Sequence, residues 1–98
     1  MMKTFPFEAS RYLHTEAEIT TYLQVAAEEA GEMGDHTILL RAIETAAKAR
    51  GMMQIAKAAG VSRESLYKSL AADAKPRYET IVKVLDAMGM QIMLTPKP

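Results

Sequence analysis

The sequence predicts a mainly α fold of about five helices, framed by a short N-terminal arm and a short C-terminal β-strand. Three observations carry that expectation. Apolar residues recur at helical spacing in several separate segments, glycines or capping residues stand at their boundaries, and the closing stretch MQIMLT reads as a strand. At 98 residues the chain has the size of one domain. Its expected organisation is an arm and acidic helix over 1–34, a helical core over 35–89, and a strand and tail over 90–98.

In order along the chain, Phe5-Pro6-Phe7 comes first, and the proline holds itself and its predecessor extended, so a short strand or arm is expected. From about Glu16 to Ala30, Ile19, Tyr22, Leu23 and Ala26 fall on one face of an amphipathic helix. The stretch GEMGD then interrupts it with two glycines, and Asp35 is placed to cap the next helix. That helix is expected over His36–Arg50, with Leu39, Leu40, Ile43, Ala46 and Ala47 inward and Gly51 as its stop. Two short helices come next, over Met52–Ala59 and from Ser62 to about Leu70, with only Gly60 and Val61 between them. A last helix over Arg77–Met88 puts Ile81, Val84, Leu85 and Met88 on one stripe and ends at Gly89. The strand Met90–Thr95 needs a neighbour, either the N-terminal arm or the same strand of a second copy.

Composition narrows the function classes. Apolar residues make up 49% of the chain and charged ones 24%, which is too apolar for intrinsic disorder. Cysteine is absent, which removes thiolate zinc sites, iron–sulfur clusters and cysteine nucleophiles and fits a reducing cytoplasm. The N-terminus has no apolar core of a leader and no run is long enough to span a bilayer, so neither secretion nor membrane insertion is expected. His14 and His36 have no partner at helical spacing, the eight methionines sit among core positions, and no phosphate-binding glycine loop or catalytic serine or carboxylate spacing is present. No metal, no cofactor and no catalytic activity are therefore expected.

The net charge of zero hides a division. Residues 1–40 hold seven acidic and two basic side chains, and residues 41–98 hold ten basic and five acidic ones. This suits a basic surface for phosphates and an acidic one for a basic partner, and equally two solvated faces.

The segment that carries chemistry is MMQIAKAAGVSRESLYKSL. Ala56 is small where a second helix would press on the first, Ile55 points inward, Gly60 can adopt positive φ, Val61 plugs the turn and Leu66 anchors the second helix. These are the steric demands of a helix-turn-helix. Ser62 is a good N-cap, its hydroxyl placed for the N–H of Glu64 or Ser65, and Glu64 suits the first turn. With Leu66 and Leu70 inward, a 100° step per residue turns Glu64 and Lys68 outward, flanked by Arg63 and Tyr67. Double-stranded DNA is the expected partner. Arg63 matches the paired acceptors of guanine, Lys68 suits a guanine or a phosphate, and Tyr67 suits a phosphate or a thymine methyl. The other reading is a Glu64–Lys68 surface pair with Tyr67 covering the core edge.

These residues resemble the Xre-type helix-turn-helix of phage repressors and Cro-like regulators, which implies a lambda-repressor-like helical core. The resemblance extends through Pro76, Thr80, Ile81, Lys83, Val84, Leu85, Ala87, Met88 and Gly89 and covers roughly residues 38–90. More narrowly, KTFPFEASRYL, the acidic helix after it, GVSRESLYKSL and the ending after GMQI are similar to the addiction-module antidote proteins of the Hig-type antitoxin branch. That resemblance implies a type II antitoxin that binds a RelE-like messenger-RNA-cleaving toxin and represses their shared operon. A stand-alone phage-like repressor and an interaction module without DNA binding stay open beside it. The chain departs from the pattern at Met52, where many relatives carry a glutamine that buttresses a DNA contact. It departs also at Ser69, with Leu70 taking the packing role, and at Arg77, which replaces a capping serine and suits a phosphate. Ser62, Arg63, Glu64, Ser65, Tyr67, Lys68 and Arg77 are the expected DNA-facing set.

Since one short helix makes few base contacts, a homodimer on half-sites about 34 Å apart is expected. Candidates for the contact between copies are the C-terminal strand, the exposed apolar positions of the last helix and the N-terminal arm. The acidic segment Glu16–Glu32 is the candidate contact for a basic toxin.

Overall fold

A computed structural model of the chain describes residues 12–98. The arm expected around Phe5-Pro6-Phe7 lies outside the described residues. Five helices run in order: α1 (Glu16–Met33), α2 (His36–Arg50), α3 (Met52–Ala59), α4 (Arg63–Ser69) and α5 (Tyr78–Ala87). There is no strand among the described residues, so the fold they form is all-α. The chain divides into two compact units, one up to Ala49 and one from Arg50 onward.

In the first unit, α1 opens with a reciprocal capping box. The Thr15 hydroxyl accepts the Glu18 N–H at 3.1 Å, and the Glu18 carboxylate accepts the N–H groups of His14 and Thr15, each at 2.9 Å. Those bonds, His14 first and Thr15 second, hold the Glu18 carboxyl below its ordinary pKa. Ile19, Leu23, Ala26 and Ala30 form the buried stripe, while Tyr22 is only half-buried. The helix runs three residues beyond its expected end. Gly31 stays helical, and the chain turns at Gly34, whose φ is 66°, with the Asp35 N–H closing onto the Ala30 carbonyl at 3.0 Å. Asp35 then starts α2 by accepting from the Thr37 hydroxyl at 2.6 Å and the Thr37 N–H at 3.0 Å, which lowers its pKa. On α2, Ala42, Ile43, Ala46 and Ala47 are buried, and Leu39 and Leu40 lie at the half-buried edge of that stripe.

In the second unit, α3 packs on both α4 and α5. The interior is made by Met52, Ile55, Ala56 and Ala59 of α3, Leu66 and Leu70 of the α4 segment, and Val84, Leu85 and Met88 of the α5 segment. No polar or charged side chain is buried among the described residues. The small residues on α3 let its neighbours approach closely, as the sequence requires of Ala56. The α5 segment ends at Gly89, with the Met90 N–H bonded to the Leu85 carbonyl at 2.9 Å.

The expected strand Met90–Thr95 does not form. Residues 91–98 are exposed and outside regular structure, with Leu94 92% exposed. A strand needs a backbone partner, and among the described residues no backbone hydrogen bond pairs 91–98 with another segment.

Candidate nucleic-acid interface

The site begins at the turn between α3 and α4. The Val61 N–H donates to the Ala56 carbonyl at 3.0 Å and the Gly60 N–H to the Lys57 carbonyl at 3.2 Å, the paired closure of a Schellman end. This requires φ of 75° at Gly60, a value that costs an L-residue roughly 1–2 kcal/mol. Ser62 returns the chain to extended geometry (φ −73°, ψ 154°) and caps α4. Of its two expected donors the N–H of Ser65 is the one used, at 3.0 Å, and the Ser62 hydroxyl in turn donates to the Ser65 hydroxyl at 2.9 Å.

Leu66 is fully buried and Leu70 nearly so, and together they fix the rotation of α4. The helical step then leaves Arg63, Glu64, Ser65, Tyr67 and Lys68 exposed on one polar surface. Ser69 is half-buried beside Leu70, which takes the packing position. The Arg63 guanidinium carbon lies 5.3 Å from the centre of the Tyr67 ring, a cation–π contact within one turn. Glu64 and Lys68 are not paired with each other. Surface pairs at this spacing among the described residues include Glu44–Lys48 at 3.7 Å and Glu79–Lys83 at 3.9 Å, exposed enough to add little stability. Lys68 thus keeps its charge free of its helical neighbour.

Arg77 occupies the N-cap of α5 but makes no side-chain capping bond. It lines an open hollow together with Lys68, Lys75, Ser69 and Thr80. Three cations and two hydroxyls share this hollow, and no carboxylate lines it, so it favours an anion. Lys75 was not expected here. Its signal is the tract Lys75-Pro76-Arg77 between two helices, but only the folded chain brings that tract beside Lys68.

In the first unit, α1 carries Glu28, Glu29 and Glu32 exposed over its last turns, and no basic residue at all. Among the described residues no three potential metal ligands cluster, and no helix is long and apolar enough to cross a membrane.

Comparison with known proteins places these features in a family. The family model described as "Probable addiction module antidote protein" matches residues 3–96. A Haemophilus influenzae (strain Rd) protein named only "Uncharacterized protein" is 36% identical over 88 residues, spanning 90% of this chain and 87% of its own length. No solved structure matches the chain significantly. With nearly its whole length matched, the chain belongs to the family described as "Probable addiction module antidote protein".

Proposed function

We propose that this chain is the antitoxin of a type II toxin–antitoxin module, binding its own operator through α4 and neutralising a RelE-like messenger-RNA-cleaving toxin. The observation that carries the DNA half is the projection of α4. A two-turn helix, set off by the Gly60 turn and anchored by Leu66 and Leu70, turns its whole polar surface to solvent. A helix of this kind fits the major groove. Arg63 reads a guanine, its guanidinium oriented by Tyr67, while Tyr67 itself meets a phosphate or a thymine methyl. Lys68, Lys75 and Arg77 hold the backbone, and Ser62, Glu64 and Ser65 shape and start the helix at the groove. Two copies bind two half-sites, and repression of the shared operon results from occupying its promoter in the cytoplasm.

The toxin half rests on the family and on charge. An antidote family implies a toxin partner, and α1 offers a cationic partner a helix with acidic side chains only. No catalytic step is assigned to the chain. Gel-shift titration on the chain's own promoter tests the DNA half. Arg63→Ala should cost roughly 1–3 kcal/mol on the cognate operator and relax its sequence preference. An equal loss on every duplex would make Arg63 a phosphate clamp, and wild-type protein with no salt-dependent affinity for DNA would end the reading.

A further inference from the structure

The hollow between the end of α4 and the start of α5 holds more positive charge than one duplex phosphate can neutralise. Exposed Lys68, Lys75 and Arg77 line it together with half-buried Ser69 and Thr80, so solvent-facing cations stand beside partly sheltered hydroxyl-bearing residues. The loop that brings Lys75 back to Lys68 is held by two successive turns. The Ala71 N–H donates to the Lys68 carbonyl at 3.4 Å, and the Ala74 N–H donates to the Ala71 carbonyl at 3.0 Å. Pro76 then restricts the backbone between Lys75 and Arg77. The acidic neighbours in sequence, Asp73 and Glu79, do not line the hollow, and Glu79 is paired with Lys83 at 3.9 Å. Three like charges around one space repel each other, a cost that a bound anion removes.

We infer that this hollow binds the terminal diphosphate of a free phosphorylated anion, and that such an anion competes with operator DNA for Lys68, Lys75 and Arg77. Charge and size select the ligand. A bridging phosphate of duplex DNA carries one negative charge, whereas a terminal diphosphate carries about three near neutral pH, because its end group titrates near pH 6. At about 310 Å³ the hollow lies at the small end of ligand sites, enough for a phosphate head with the rest of the molecule in solvent. The binding half stands on the hollow alone. The competition half rests on the DNA reading of the proposed function and adds its regulation: one set of cations cannot neutralise both ligands, so each weakens the other by the same factor.

The test uses the full chain without DNA, titrated calorimetrically with inorganic pyrophosphate at fixed ionic strength, with sulfate as control. Pyrophosphate should bind saturably and raise the melting temperature by several degrees at about a hundredfold excess over Kd, and sulfate should do neither. Lys75→Gln, in an exposed loop, should keep the wild-type melting temperature without ligand and weaken pyrophosphate by about tenfold, with a smaller loss in Thr80→Val. Adenosine diphosphate separates the sources: affinity equal to that of pyrophosphate assigns the site to the diphosphate alone, and tighter binding adds the nucleoside to the ligand. Equal binding of sulfate, or binding indifferent to Lys75→Gln, would overturn the inference. In a gel shift on the chain's own promoter, pyrophosphate should then release the operator at concentrations where sulfate of equal ionic strength does not. Release no greater than with sulfate would overturn the competition. Protein that binds pyrophosphate but no DNA would sink the operator reading and leave the anion site standing.

Discussion

Helices α1 and α4 solve the same problem on opposite terms. The first has 18 residues, a reciprocal box at its start, a left-handed glycine at its end and four buried apolar residues along its length. The second has seven residues, one capping serine and a single buried residue within its span. Helices that short do not persist alone in water, since nucleation is costly and few bonds repay it. The short helix therefore takes its stability from Leu66 and Leu70 seated in the interior, while the long one is largely specified by its own sequence. The difference teaches a division of labour: where anchoring needs only two side chains, the rest of the helix is free to be chosen for what it meets.

The sharpest way to break that contrast is Leu66→Ala. Truncating a fully buried leucine should cost about 2–5 kcal/mol in urea denaturation, a large share of a small domain's stability, and should take α4 and the proposed operator binding with it. A loss well under 1 kcal/mol would mean that the helix is held by something else. Next in size are the caps. Thr15→Ala and Ser62→Ala should each cost about 1 kcal/mol by thermal melts, and amide exchange should rise along all of α4 but only in the first turn of α1. Uniform exchange across α1 in the Thr15 variant would contradict its self-sufficiency.

A smaller effect of opposite sign is expected at Gly31. Its backbone is helical and nothing stands within 4 Å of an added methyl, so Gly31→Ala should raise stability by roughly 0.5–1 kcal/mol. Destabilisation there would indicate a non-helical need for glycine. The smallest effect is pH dependence. The carboxyls of Glu18 and Asp35 have depressed pKa values, so their contribution is complete above the ordinary carboxylate range and disappears as pH falls through the folded-state values. Melting temperature should drop modestly between about pH 6 and pH 3, and Glu18→Gln should flatten part of that drop. A profile unchanged in Glu18→Gln would deny the capping box any share in acid sensitivity.

How much is legible in the sequence depends on which forces are local. The spans of α2 and α3 match the reading of periodicity and glycine stops residue for residue, because both signals lie within a few positions of each boundary. The end of α1 departs from expectation for a related reason: Gly31 looks like a stop, and only the closure of Asp35 onto Ala30 marks Gly34 as the real one. The strand expected at the C-terminus is absent because pairing is not a property of one segment. In the candidate interface, the rotation of α4 is derivable from Leu66 and Leu70, and the exposed set comes with it. Lys75 is not derivable, since its place beside Lys68 depends on how the loop after Leu70 returns to α5.

A long guanidinium side chain ordinarily surrenders much rotational freedom when it docks, and that loss subtracts from affinity. At Arg63 the ring of Tyr67, one turn along the same helix, already narrows the range of poses before any ligand arrives. The tip of this arginine is thus partly aimed in the free protein, so in the base-reading role proposed for it discrimination would depend less on the entropy of ordering it and more on whether the acceptors lie where it points.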